Sequence, residues 1–240
     1  MKVWIGTSGY NYPEWRGSFY PDKLPAAQML PYYAQRFSSV EINNTFYRMP
    51  SAETVLGWSN ATPERFKLTL KAPKRITHQA RLRDCGSPVE HFLKLAETLG
   101  PKRGAALFQL PPFMRKDCGL LDAFIATLPP ASGAAFEFRH ASWFDDELYA
   151  LLARHDLALC IADSEKLATP VQITASYAYF RLRDEGYEAA DIKRWAEVIT
   201  TRAAHCRDVF VYFKHEESGK GPAFARLLQQ ALGNEVAPIP

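Results

Sequence analysis

Short runs in which apolar and polar residues alternate recur along the whole chain, separated by stretches whose apolar residues return every three or four positions. The first period fits a half-buried strand and the second an amphipathic helix. Eight runs read as strands: Lys2–Gly6, Ser39–Asn43, Phe66–Lys71, Ala105–Leu110, Ala134–Arg139, Leu157–Asp163, Tyr179–Arg183 and Val209–Lys214. Helical faces lie between them, as in Val89, Phe92, Leu93, Ala96 and Leu99, or in Ile192, Trp195, Ala196 and Ile199. Strands alternating with helices predict parallel βαβ units. Eight evenly spread strands with no Gly-x-Gly-x-x-Gly after the first predict a closed (β/α)8 TIM barrel, one domain over residues 1–240, ahead of an open doubly wound sheet. The stretch from Ser164 to Tyr177 holds Pro170 and little helical periodicity, so the helix after strand six is predicted to be missing or reduced. Ser87, Pro88 and Glu90 read as a capped helix start, and Ser142 with Asp145 as the capping box of the helix after strand five.

Side chains alternate between the two faces of a strand, and the polar members share one parity. Glu41 and Asn43, Glu137 and Arg139, and Arg181 and Arg183 are placed inside the barrel, and the same rule puts Lys71, Gln109, Asp163 and Lys214 at inward C-terminal strand ends. A (β/α)8 barrel keeps its active site at that end. Charges there need water, a ligand or one another to offset desolvation. With bases in excess, the ring reads as an anion site: Lys71, Arg139, Arg181, Arg183 and Lys214 would hold phosphate or carboxylate oxygens. Glu41, Glu137 and Asp163 are then the candidate general acids and bases, with Lys71 a candidate reactive amine. The competing reading is structural, with Glu137 paired to Arg139 or Arg181 and Glu41 to a lysine, fixing strand register.

The loop from Thr7 to Pro21 opens on the same end and is rich in aromatics. Thr7, Ser8 and Tyr10 are candidate ligand contacts, and exposed rings beside bases could stack on a sugar or nucleobase. Alternatively Tyr12, Trp15, Phe19 and Tyr20 close into a small core of their own, the favoured reading for Trp15 and Phe19. Tyr47 and Arg48 from the loop after strand two, together with His78, Gln109 and His140, complete the candidate ligand contacts.

Composition narrows the partners. A net charge of +3 over 240 residues is far from that of a protein that coats nucleic acid, so any anion preference must be local. The four cysteines form no Cys-x-x-Cys pair, and the chain opens on a strand rather than a signal peptide, which fits a cytoplasmic setting. No apolar run reaches membrane-spanning length. Among the histidines, His78, His140 and His215 fall just beyond strands, without His-x-His or His-Glu-x-x-His. Ligand spacing thus gives a divalent metal no support, and no cofactor is assigned. The expected partner is a small anionic or phosphorylated ligand, with nucleic acid as an alternative and no membrane.

Specific motifs extend this reading. Gly6-Thr7-Ser8-Gly9-Tyr10, Phe19-Tyr20-Pro21, Val40-Glu41-Ile42-Asn43, Thr45-Phe46-Tyr47, Lys71-Ala72-Pro73, Phe108-Gln109-Leu110-Pro111-Pro112 and Glu137-Phe138-Arg139-His140 together resemble the YecE-like proteins, a bacterial and archaeal family. The resemblance implies a TIM barrel and carries no reaction with it. It weakens where the family has Arg-x-His-Gly and this chain has Arg181-Leu182-Arg183-Asp184, and where Phe-Asn-Asn is replaced by Phe213-Lys214-His215. The function classes kept open are an enzyme acting on a phosphorylated substrate by hydrolysis or elimination, carbohydrate chemistry through Glu41 and Glu137, Schiff-base chemistry at Lys71 or Lys214, and a non-enzymatic scaffold for an anion or RNA.

Overall fold

The computed structural model describes residues 1–164, 166–216 and 219–238. Eight parallel strands follow one another around a barrel: β1 (Lys2–Thr7), β2 (Ser39–Ile42), β3 (Lys67–Lys71), β4 (Arg103–Gln109), β5 (Ala134–Glu137), β6 (Ala158–Asp163), β7 (Tyr177–Leu182) and β8 (Asp208–Phe213). Each lies within a few residues of its predicted run. The helices are α1 (Ala26–Ala34), α2 (Asn44–Tyr47), α3 (Ala52–Asn60), α4 (Gly86–Glu97), α5 (Cys118–Ile125), α6 (Asp146–Arg154), α7 (Ala189–Arg202) and α8 (Lys220–Leu232). The fold is a (β/α)8 barrel.

Seven of the eight neighbouring strand pairs form parallel ladders, that of β3 and β4 with a register shift between Leu68 and Leu70, and the barrel closes more sparsely between β1 and β2. There the Gly9 amide donates to the Glu41 carbonyl at 2.8 Å. The Ser38 hydroxyl accepts from the Ile5 amide, and the Tyr33 hydroxyl, reaching in from α1, accepts from the Thr7 amide at 2.7 Å. Side-chain oxygens thus satisfy backbone donors that a ladder would otherwise pair. Gly6 makes the approach feasible, because a Cβ there would stand 1.9 Å from the Ser39 carbonyl oxygen.

No helix joins β6 to β7 among the described residues, in line with the weak periodicity of that stretch. Residues 166–176 form no regular element, and Val171 and Ile173 pack on the outer core. The Thr174 hydroxyl accepts from the Leu159 amide and donates to the Leu157 carbonyl, taking up backbone groups of β6 and the residue before it. Two predicted helix starts shift. Helix α4 begins at Gly86 after Cys85, so Ser87 lies inside its first turn rather than capping it. Helix α6 is capped by Asp145, whose carboxylate accepts from the Leu148 amide, while Ser142 belongs to the short turn Ala141–Trp143.

Apolar side chains divide by strand parity into two cores. An outer shell of Val, Ile, Leu and Phe residues packs strands against helices. An inner core holds Trp4, Leu107, Cys160, Tyr179, Phe210 and Tyr212. Its tyrosines carry hydroxyls into the barrel, where Tyr212 meets Ser39 Oγ at 2.6 Å and Thr69 Oγ1 at 2.8 Å. This polar layer lies one residue pair below the charged one.

Candidate functional site

Arg181 is central to the charged layer and is fully buried. Its Nε and Nη2 donate to Glu41, at 2.9–3.1 Å, and its Nη1 donates to Glu137 at 3.0 Å. Both carboxylates are also fully buried. Glu41 accepts further bonds from the hydroxyls of Ser8 and Tyr179, and Glu137 accepts from Gln109 Nε2 at 2.9 Å. Burial alone would raise both carboxyls, but the guanidinium and these donors outweigh it and hold them below the ordinary range, Glu137 at about 2. Both glutamates are therefore ionised near neutrality, with most of their lone pairs occupied. The pairing settles on Arg181 for both, where a lysine was one expectation for Glu41.

Lys71 is placed differently. It is only 7% exposed, and its Nζ donates to Gln109 Oε1 at 2.9 Å and sits 4.2 Å from the centroid of the Phe46 ring. No carboxylate forms an ion pair with it among the described residues. Burial is the largest influence on the ammonium and the charge of Arg181 adds to it; Glu137 and Glu41 compensate only in part, leaving Lys71 at about 7. It lines a cavity of about 250 Å³ that opens at the mouth, walled by Tyr10, Tyr12, Asn43, Phe46, Tyr47 and Lys214. Asn43 Nδ2 donates to Ser8 Oγ at 2.7 Å, while its Oδ1 is buried and has no partner among the described residues. Lys214, on the far wall, pairs with Glu216 at 3.3 Å.

A second recess of about 220 Å³ lies on the other side of Glu137, lined by Arg139, His140, Ser164, Lys166 and Arg183 among others. Arg183 approaches Glu137 at 4.0 Å and keeps a buried Nε with no partner among the described residues. Burial lowers Arg139, partly offset by Glu137. His78, next to the Phe46 ring at 4.9 Å between centroids, is lowered by burial and by Lys71 and Arg139.

The structure thus gathers Ser8, Glu41, Asn43, Lys71, Gln109, Glu137, Arg139, Arg181, Arg183 and Lys214 at one end of the barrel, with Tyr10, Tyr47, His78 and His140 around them. Others are placed elsewhere. Asp163 faces outward, in register with Leu182, and accepts a bond from the Tyr187 hydroxyl at 2.7 Å, while the preceding residue, Ala162, pairs with Arg181 and carries the inward parity. Thr7 also faces out, bonded to Tyr33 and to the Gly9 carbonyl. Arg48 lines a separate groove beside Trp58 and His91. His140 accepts from the Ser142 amide and so caps the turn that follows β5. Trp15, Phe19 and Tyr20 are buried as a packed cluster with Tyr33 and Phe37 of and beyond α1, and Trp15 Nε1 donates to the Glu216 carbonyl. The aromatic loop is therefore a wall, with Tyr10 and Tyr12 left to face the cavity.

Tyr179, Phe46 and Glu216 are site members that the pattern of charges did not single out. Tyr179 stands two residues before Arg181 on the same face, so strand parity carries its signal. Phe46 comes from the single-turn helix α2 and Glu216 from the loop after β8, where no periodicity reports direction. Among the described residues no group of three His, Cys, Asp or Glu side chains is arranged to hold a metal ion, and no helix is long and apolar enough to cross a membrane.

The family model described as "Protein of unknown function DUF72" matches residues 4–240. The chain belongs to the DUF72 family. It is 33% identical over 143 residues to the UPF0759 protein YecE of Escherichia coli K12, a match that takes in 59% of this chain and only 50% of that relative. The chain thus spans about half the length of that curated relative. It is 23% identical over 258 residues to the UPF0759 protein YunF of Bacillus subtilis, with 90% of each covered. A DUF72 family crystal structure from Thermotoga maritima superposes with a TM-score of 0.87 at 26% identity, covering 97% of this chain and 99% of the other. A second DUF72 protein, from Enterococcus faecalis, gives 0.79 at 18% identity over 96% and 95% of the two chains, which bears on the fold alone. The YecE-like motifs read from the sequence and the DUF72 barrel are thus the same family.

Proposed function

We propose that the barrel mouth binds a small anionic ligand, with phosphorylated compounds as the leading class. The observation that carries this reading is the imbalance of charge around the mouth. The two buried carboxylates both bond Arg181, and Lys71, Arg139, Arg183 and Lys214 stand around the two recesses, of which only Arg183 comes within 4.0 Å of either carboxylate. Lys71 has only a neutral amide and an aromatic face for company, and Arg183 holds an unpartnered buried Nε. Basic groups that lack a close carboxylate partner at the edge of a cleft favour an anion that brings its own acceptors. Glu216 offsets Lys214 in part, from a more exposed position.

Carbohydrate chemistry through Glu41 and Glu137 has less support, because it needs one carboxyl poised as a proton donor and both here are buried and held ionised. The free thiols of Cys85, Cys118, Cys160 and Cys206 support a reducing, cytoplasmic setting.

Melting temperature measured with millimolar inorganic phosphate, ribose 5-phosphate, a nucleoside monophosphate and a short oligonucleotide tests the reading. A saturable rise with at least one small phosphate is expected. No rise with any of them overturns it, and a rise confined to the oligonucleotide replaces a small-molecule site with a nucleic-acid one.

A further inference from the structure

Resting on that anion-binding reading, we infer that Lys71 is an amine nucleophile that captures the carbonyl carbon of a small anionic aldehyde or ketone as an imine, with Lys214 holding the anionic end. The two amines line the same cavity of about 250 Å³, from β3 and from just beyond β8, on walls that include Tyr10, Tyr12, Asn43, Phe46 and, beside Lys214, Glu216. That space suits a compound of a few carbons with one phosphate or carboxylate.

The environments of the two lysines divide the labour. Lys214 is about one-third exposed and ion-paired with Glu216 at 3.3 Å, so it serves as a fixed cation at the entrance. Lys71 is almost buried, lies over the Phe46 ring, and donates to a neutral acceptor that is itself anchored, since Gln109 Nε2 is bonded to both oxygens of Glu137. Gln109 thereby fixes the direction of the amine without supplying the negative charge that would keep it protonated. Among the charged groups that act on it, Arg181 of β7 and Lys214 favour the neutral amine, and Glu137 of β5 and Glu41 of β2 oppose them. Burial decides the balance, so a large share of Lys71 is unprotonated at neutral pH, the form that attacks a carbonyl.

The step is balanced by the two reactants. The Nζ lone pair forms the C–N bond while the carbonyl π pair moves to oxygen; the resulting carbinolamine loses that oxygen as water with both amine hydrogens. Nothing is oxidised or reduced. Tyr12 already donates its hydroxyl to the Ser8 carbonyl at 2.8 Å, which leaves Tyr10 on the cavity wall and the unpartnered Asn43 Oδ1 for the departing water or the substrate's hydroxyls.

Trapping tests this directly. The full chain is incubated at pH 7.5 with pyruvate, glyoxylate or dihydroxyacetone phosphate and sodium cyanoborohydride, then analysed by intact mass and peptide mapping. At least one probe is expected to give a single saturable adduct on Lys71, formed about tenfold faster than at the average surface lysine, slowed by inorganic phosphate and lost in Lys71→Arg. Lys214→Met should retain the adduct but need about tenfold more probe to half-saturate it. Adducts on Lys214, adducts spread evenly over surface lysines, or none with all three probes overturn the inference. If Lys71→Arg does not fold, the wild-type peptide map decides alone. A phosphate-induced rise in melting temperature without a Lys71 adduct leaves anion binding standing and removes the imine; absence of both removes both.

Discussion

Arg181 and Lys71 are inward-facing cations of the same mouth, and they bear on stability with opposite sign. Arg181 is matched by two carboxylates, so its removal strands two buried negative charges. Arg181→Met is expected to cost about 3–5 kcal/mol in chemical denaturation. Lys71 is desolvated without a carboxylate partner, and its ammonium is less favourable in the folded chain than in the unfolded one. Lys71→Met is therefore expected to stabilise the protein at pH 7, by about 2 kcal/mol once the stranded Gln109 acceptor is counted. The unfolded chain binds the extra proton between pH 7 and 10.5, so the wild type gains stability over that range and the advantage of the variant shrinks toward its alkaline end. Glu137 gives the acid limb. Its folded value of about 2 lies below the ordinary 4.5, so its contribution is full above pH 4.5 and is lost as the pH falls toward 2. Denaturation midpoints should fall across that window by the equivalent of about 3 kcal/mol, and Glu137→Gln should flatten the slope.

At the scale of strands and loops, the narrow join between β1 and β2 sets the strictest local demand. Gly6→Ala would drive a Cβ into the Ser39 carbonyl and part the strands that carry Ser8 and Glu41, so we expect loss of at least about 3 kcal/mol or failure to fold, read by circular dichroism melting. The strands were legible because alternation survives in β2, β5 and β7, where apolar residues separate Glu41 from Asn43, Glu137 from Arg139 and Arg181 from Arg183. In β6 the run Ala158-Leu159-Cys160-Ile161-Ala162 is apolar throughout and hides its parity. The sequence therefore points Asp163 inward, whereas register places Ala162 beside Arg181 and turns Asp163 to Tyr187. Helix starts were misread by a residue or more for a related reason: a capping side chain is identified by where its oxygen points, and Asp145 rather than Ser142 points at its helix. The direction of Phe46, which packs over Lys71 from α2, depends on tertiary contact and leaves no periodic trace.

For the molecule as a whole, the barrel concentrates its polar interior at one end. Below lies the neutral layer of Tyr212, Ser39 and Thr69; above it Arg181 with its two carboxylates, a group one negative charge in excess; above that two recesses rimmed by bases. The aromatic loop after β1 closes one side by packing Trp15, Phe19 and Tyr20 against the residues of α1. What the mouth depends on is Lys71 as a desolvated amine, only partly compensated by Glu137 and Glu41 and open to an anion. This is tested most directly by following the Lys71 Cε and Nζ resonances through pH 5–11 by NMR, with and without sulfate, an anion that does not itself titrate in that range. We expect Lys71 to titrate near 7 in its absence and measurably higher in its presence. A midpoint near the ordinary lysine value of 10.5, unmoved by sulfate, would contradict the account.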